Sequence, residues 1–213
     1  MPAVESILTA VAEHAPTAPL TDVVSVKAEM AAAVEAQGLQ ARYVGGHPMA
    51  GTNHSGWSAT DPTLFTDAVW VVSTDPGVDA DVWVRVARLA LDCGSVVVPA
   101  ESGEHDRAVA RISHLPHVLA ETLAIVGAAG GPLALGLAAG SFRDGTRVAS
   151  SSPNLVRAMT EGNAAALRTA LDEALAALTA AREELDEGST KSLVEAGNTA
   201  RLQYEQHQRF EIT

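Results

Sequence analysis

A histidine set between glycines and a proline, at the end of a β-like segment, is a candidate for proton transfer. The run is Gly45, Gly46, His47, Pro48, Met49, Ala50, Gly51. Glycines let backbone approach a ligand closely, and Pro48 fixes φ beside the turn. Open α/β sheets keep their ligands at the carboxyl ends of the strands. An imidazole there accepts a hydroxyl proton near neutral pH. The run is equally compatible with a structural loop histidine bonded to backbone. A second group is His105, Asp106, His114 and His117. His114 and His117 are three apart and share a face if helical. With His47 and His54 they could ligate a metal, line a polar pocket, or cap and pack. No His-Glu-x-x-His run or other specific ligand spacing favours the metal. In a third group, Asp144, Thr146 and Arg147 stand in a polar turn before a helix. Arg147, like Arg143, suits bidentate carboxylate recognition or a solvated surface. Ser25 and Lys27 sit at a strand-to-helix junction, which can offer backbone donors and a hydroxyl to an anion. Ser25 as a plain helix cap fits as well.

The elements that must position these groups change in character along the chain. Up to about residue 100, helix-like and strand-like segments alternate. A helix over Pro2–His14 places Val4, Ile7, Leu8 and Val11 on one face. Leu20–Val24 reads as a strand, followed by a helix that Ser25 caps and Gly38 ends. Arg42–Gly45, Ala68–Ser73 and Val96–Val98 read as further strands, with a helix over Asp79–Asp92. Alternation of this kind predicts helices covering a mostly parallel sheet. From Glu101 the strand signal vanishes. Glu104–Ala129 reads as a long helix bent at Pro116, and Gly130, Gly131 and Pro132 interrupt it. Ser152 and Pro153 open another helix. Leu167, Leu171, Leu175, Leu178 and Leu185 recur at helical spacing before Gly188, and Ser189 opens a last helix. The expected domains are 1–100 and 101–213, the first α/β and the second all-helical.

The 213 residues, 47% of them hydrophobic, suffice for a sizeable core. With 14 Lys and Arg against 26 Asp and Glu, the net charge is −12. No basic surface is expected for nucleic acid or an anionic membrane. No apolar stretch reads as transmembrane in length and flanks, and no signal-like N-terminus is evident. The single cysteine, Cys93, reads as a buried structural thiol. A cytoplasmic protein is expected. One absence stands out: a strand, G-x-G-x-x-G, helix fingerprint for a dinucleotide does not occur.

Taken together, the runs TDVVSVK (Thr21–Lys27), VGGHPMAG (Val44–Gly51), Leu64–Phe65, EHD (Glu104–Asp106), SHLPH (Ser113–His117), FRDGTRVA (Phe142–Ala149) and EGN (Glu161–Asn163) closely resemble the prephenate/arogenate dehydrogenase family. The resemblance implies an α/β partial Rossmann-like domain followed by an all-helical dimerisation domain. It implies a homodimer that oxidises and decarboxylates prephenate or arogenate with NAD or NADP. In that reading His47 assists deprotonation of the ring hydroxyl, and Ser25 lies near that hydroxyl and the nicotinamide. Arg147 binds substrate carboxylate, with His117 in the pocket and His114 and Asp144 in support. Lys27, Pro48 and Met49 fall beside the cofactor with Ser25, and no metal is implied.

The resemblance also places a glycine-fingerprint βαβ unit before the helix that opens this chain. The chain is therefore expected to begin in the middle of a cofactor domain and to bind NAD or NADP weakly or not at all. Two other function classes compete: a noncatalytic helical dimer module, and a metal-dependent hydrolase built on the histidine cluster.

Overall fold

The computed structural model describes residues 4–51 and 56–210; Pro2, His54 and Ser55 lie outside them. The chain forms two compact units, Met1–Leu167 and Arg168–Thr213. The first is built on a three-stranded sheet of β1 (Gly46–Pro48), β2 (Val69–Ser73) and β3 (Val96–Ala100), in that order. β3 runs parallel to β2, but β1 runs antiparallel to it, with His47 opposite Val71. The sheet among the described residues is thus mixed rather than mostly parallel. His47 lies within a strand, not past the end of one.

Two expected strands do not form. Leu20 makes a single bridge to Tyr43, and the chain then turns because the Asp22 carboxylate takes the Val24 N–H at 2.7 Å. Arg42 belongs to a 3-10 turn, Gln40–Arg42. Its guanidinium donates to the carbonyls of Ala15 and Ala18 at 2.7 and 2.6 Å.

Helices α1 (Val4–His14), α2 (Lys27–Ala36) and α3 (Ala80–Asp92) complete this layer. Asp79 caps α3 by accepting from the N–H groups of Asp81 and Val82 at 2.9 and 3.1 Å. Gly94, at φ +83°, ends it. Val82, Val86 and Ala90 recur at helical spacing and bury against Val44, Trp70 and Val72 of the sheet layer, with Cys93 half-buried at the margin. Leu8, Met30, Val34, Leu39 and Tyr43 form a second cluster. Successive extended residues point to opposite faces, so Tyr43 joins one cluster and Val44 the other. Pro99 lies inside β3, opposite Val72. It is tolerated because β3 is an edge strand.

After β3 the first unit is helical. α4 (Ser102–Val109), a five-residue π turn (Ala110–His114) and α5 (Leu115–Ala129) form one continuous helix. Pro116 has no N–H to give the preceding turn, and the wider π turn sits where that bond is missing. α6 (Gly131–Gly136), α7 (Gly140–Thr146), α8 (Pro153–Gly162) and the start of α9 (Ala164–Asp186) follow. Asp144 lies inside α7 rather than in a polar turn, and Arg147 opens the 3-10 segment after it. Gly127 of α5 leaves room for the Phe142 ring, which a Cβ there would strike.

By length and composition, Ser102–Ala129 is apolar enough to cross a membrane. Its first turns nevertheless bury His105 and Asp106, while Leu119, Leu123, Ile125 and Val126 are exposed.

The second unit holds the rest of α9 and α10 (Lys191–Phe210). Gly188, at φ +77°, ends α9, and Ser189 Oγ accepts from the Lys191 N–H at 3.1 Å. Leu175, Leu178, Leu185, Leu193, Val194 and Leu202 are exposed.

Candidate active site

The floor of the site is a buried ionic cluster. Lys27, at the first turn of α2, is only 1% exposed. Its ammonium donates to the Asp22 carboxylate and to the Gly46 carbonyl at 2.6 Å. The other Asp22 oxygen accepts from the Tyr43 hydroxyl at 2.5 Å. Burial lowers the Lys27 pKa, against the pull of Asp22. Burial and the neighbouring Asp22 raise that of Tyr43. A buried pair of this kind persists because its remaining polar atoms are also bonded. Gly46 is required by the close approach: a Cβ there would sit 2.6 Å from the Asp22 carbonyl oxygen. The first glycine of the run, Gly45, donates its N–H to Ser73 Oγ at 2.7 Å.

α2 is not capped by Ser25. The residue before its first turn is Val26, in extended conformation and without a side-chain cap. The amides of Lys27 and Ala28 instead donate to the two oxygens of Asp106, at 2.9 and 2.8 Å. An aspartate from α4 thus does the work of a cap, adding a full charge at the positive helix end. α4 is served in the same way by Asp75, whose oxygens accept from Ser102 N–H at 2.8 Å and Ser102 Oγ at 2.5 Å. With the cap supplied from elsewhere, the Ser25 hydroxyl is left on the wall of a cavity.

That cavity, about 520 Å³, is lined by Ser25, His47 and Pro48, and by apolar Val24, Leu64, Phe65 and Met159 among others. Ser25, His47 and Glu29 are the polar residues of an otherwise apolar wall, which suits a small, largely apolar ring carrying a polar group, or the nicotinamide end of a cofactor. His47 Nδ1 lies 2.8 Å from His105 Nε2, with the rings edge to face. His105 Nδ1 lies 2.8 Å from Asp106 Oδ1. Burial, followed by the nearby His105, Lys27 and His114, depresses the His47 pKa to about 3. Burial pushes Asp106 up, but bonds from His105, Lys27 and Ala28 outweigh it and hold the carboxyl below its ordinary value.

The remaining predicted residues divide. His114 is 1% exposed, and its Nδ1 lies 3.2 Å from the Asn163 amide nitrogen, which also donates to the Asp106 carbonyl at 2.7 Å. Burial lowers its pKa. His117 is half-buried with an unpartnered buried Nδ1. Burial lowers its pKa too, while Glu121 pulls it upward and Arg147 downward. His117 and Arg147 therefore form a neighbouring group, and neither lines the cavity around His47. Asp144 is exposed and pairs with Arg143 at 3.4 Å. Met49 contributes a backbone N–H to the Val69 carbonyl at 2.7 Å, and Lys27 points into the ionic cluster. Of the expected cofactor contacts, Ser25 and Pro48 reach the cavity wall. Among the described residues no group of three or more His, Cys, Asp or Glu is arranged to hold a metal ion.

Asp22 and the capping role of Asp106 escape sequence reading. One signal for Asp22 is available: an acidic residue in an apolar run, five residues before a lysine in another buried segment.

A partial Rossmann-like α/β layer followed by helices thus carries a histidine and a serine on a shared cavity wall. Family models match in the same order: "Prephenate dehydrogenase, nucleotide-binding domain" over residues 1–99 and "Prephenate dehydrogenase, dimerization domain" over 101–198. A Corynebacterium glutamicum protein, provisionally assigned as a prephenate dehydrogenase, is 52% identical with a TM-score of 0.91, over 96% of this chain and 66% of that one. Synechocystis arogenate dehydrogenase is 30% identical with a TM-score of 0.75, over 95% and 74%. Prephenate dehydrogenase from Aquifex aeolicus, solved with hydroxyphenyl propionate and NAD+, is 27% identical with a TM-score of 0.83, over 99% and 73%. The chain belongs to the prephenate/arogenate dehydrogenase family. It spans half or less of the length of the first curated relatives it matches.

Proposed function

We propose that this chain carries the proton-accepting and substrate-holding part of an enzyme that oxidatively decarboxylates prephenate or arogenate. The observation that carries the reading is His47 beside Ser25 on one largely apolar cavity wall. A bound NAD or NADP would supply the hydride acceptor. Ser25, Pro48 and the apolar lining fit its nicotinamide end, whereas no G-x-G-x-x-G run is present to cradle a pyrophosphate. Affinity of this chain for the cofactor is accordingly low.

The chemistry asked of the protein is modest. As hydride leaves the ring carbon that bears the hydroxyl, the hydroxyl proton passes to His47. Carbon dioxide leaves from the opposite ring carbon and the ring becomes aromatic. The apolar cavity wall aligns the ring, Ser25 orients the hydroxyl, and His47 takes its proton. Arg147, with His117 beside it, binds substrate carboxylate. The exposed leucines of α5, α9 and α10 belong to a homodimer interface, and the protein acts in the cytoplasm.

Turnover tests the reading. With prephenate or arogenate and high NAD or NADP, reduced cofactor should form slowly, and His47→Asn should lower the rate about 10²–10⁴-fold. No reduced cofactor with any of the four pairings overturns the reading for this chain.

A further inference from the structure

The neighbours of His47 decide which of its two nitrogens carries hydrogen. A carboxylate only accepts hydrogen bonds. At 2.8 Å from Asp106 Oδ1, His105 Nδ1 must therefore be the donor. A neutral His105 then has a bare lone pair on Nε2. The next contact, 2.8 Å to His47 Nδ1, can form only if His47 Nδ1 carries the hydrogen. That leaves His47 Nε2 with its lone pair, on the residue that lines the cavity. We propose that His105 and Asp106 are positioning residues that hold His47 in its Nδ1–H form, so that Nε2 is the base facing the cavity.

The arrangement has a second consequence. When His47 Nε2 takes a proton, the new positive charge lies two hydrogen bonds from the Asp106 carboxylate, through His105. Asp106 is itself fixed: the Lys27 and Ala28 amides hold its oxygens. His105 and Asp106 are each 4% exposed, so water does not compete for these bonds. His114 Nδ1 faces the Asn163 amide instead. An imidazolium at His105 would reverse the order. It would donate to His47 Nδ1, and His47 Nε2 would then carry a hydrogen and act as an acid.

The importance of this relay for catalysis rests on the proposed role of His47, but its existence does not. Ring-nitrogen NMR of the uniformly labelled chain at neutral pH reads the tautomer without turnover, and His47→Asn identifies the signal. The expected result is a protonated Nδ1 and a bare Nε2 at His47. In His105→Phe the population should move toward the Nε2–H form that free histidine favours. In His105→Gln the amide oxygen can still accept from His47 and the amide nitrogen can donate to Asp106, so the Nδ1–H form should return. A protonated Nε2 at His47 in the unsubstituted chain overturns the proposal, as does an unchanged tautomer in a folded His105→Phe. The unsubstituted spectrum alone decides the matter if the variants do not fold. A relay present in a chain without turnover would leave this inference standing and sink the functional reading.

Discussion

His47 is the residue whose surroundings matter most to its chemistry. In the folded chain its pKa is depressed to about 3 from an ordinary value of 6.5, because burial, then His105, Lys27 and His114, disfavour its charged form. Between those values the unfolded chain holds more protons than the folded one. Stability from this site is therefore complete above about pH 6.5 and falls as pH drops toward 3. Asp106, whose folded pKa is also depressed, adds a loss at the acid end of the window. Urea midpoints measured from pH 7 to pH 4 should decline for the unsubstituted chain and decline less for His47→Asn. Equal slopes in the two proteins would refute this account. The identity of His47 as a candidate was legible from GGHPMAG alone. Its partners were not: His105 is 58 residues away, and nothing in the local spacing of EHD says which strand it will meet.

Among the elements, the long helix Ser102–Ala129 organises the site, and α2 depends on it. Asp106→Ala would leave two helix amides and His105 Nδ1 without their acceptor in a buried place. The expected cost is roughly 2–4 kcal/mol, seen as a lower urea midpoint with an unchanged slope against denaturant. Asp106→Asn keeps an acceptor oxygen and should lose less. A midpoint unchanged by Asp106→Ala would show that the caps contribute nothing. Helix α3 was readable nearly to the residue, because Asp79, the apolar spacing and Gly94 agree. Leu20–Val24 and Arg42–Gly45 failed as strands for local polar reasons. The Asp22 side chain competes for the Val24 amide, and the Arg42 guanidinium is drawn to the carbonyls of Ala15 and Ala18. The antiparallel direction of β1 is a tertiary fact, which apolar periodicity does not encode. Ser25, though adjacent, does not cap α2. Here the acceptor comes from 78 or 79 positions further on.

At the scale of the whole molecule, the question is what covers the exposed apolar residues. Leu119, Leu123, Ile125 and Val126 of α5 and Leu175, Leu178 and Leu185 of α9 are too many to leave in water singly. Light scattering at micromolar concentration should give the mass of two chains, about twice 22.0 kDa. A single-chain mass would count against the dimer. The change from mixed α/β to helix alone, after Ala100, was legible in the sequence. The division into compact units after Leu167 was not, since it falls within the unbroken periodicity of α9. One small feature ties the scales together. The Asp106 carboxylate holds the first turn of α2 with both its oxygens, and one of them, Oδ1, also faces His105. Any fluctuation that frays that turn also lets the carboxylate swing away from the imidazole. Solvent exchange at the Lys27 and Ala28 amides would then serve as a gauge of how often the chain of contacts from His47 through His105 to Asp106 opens.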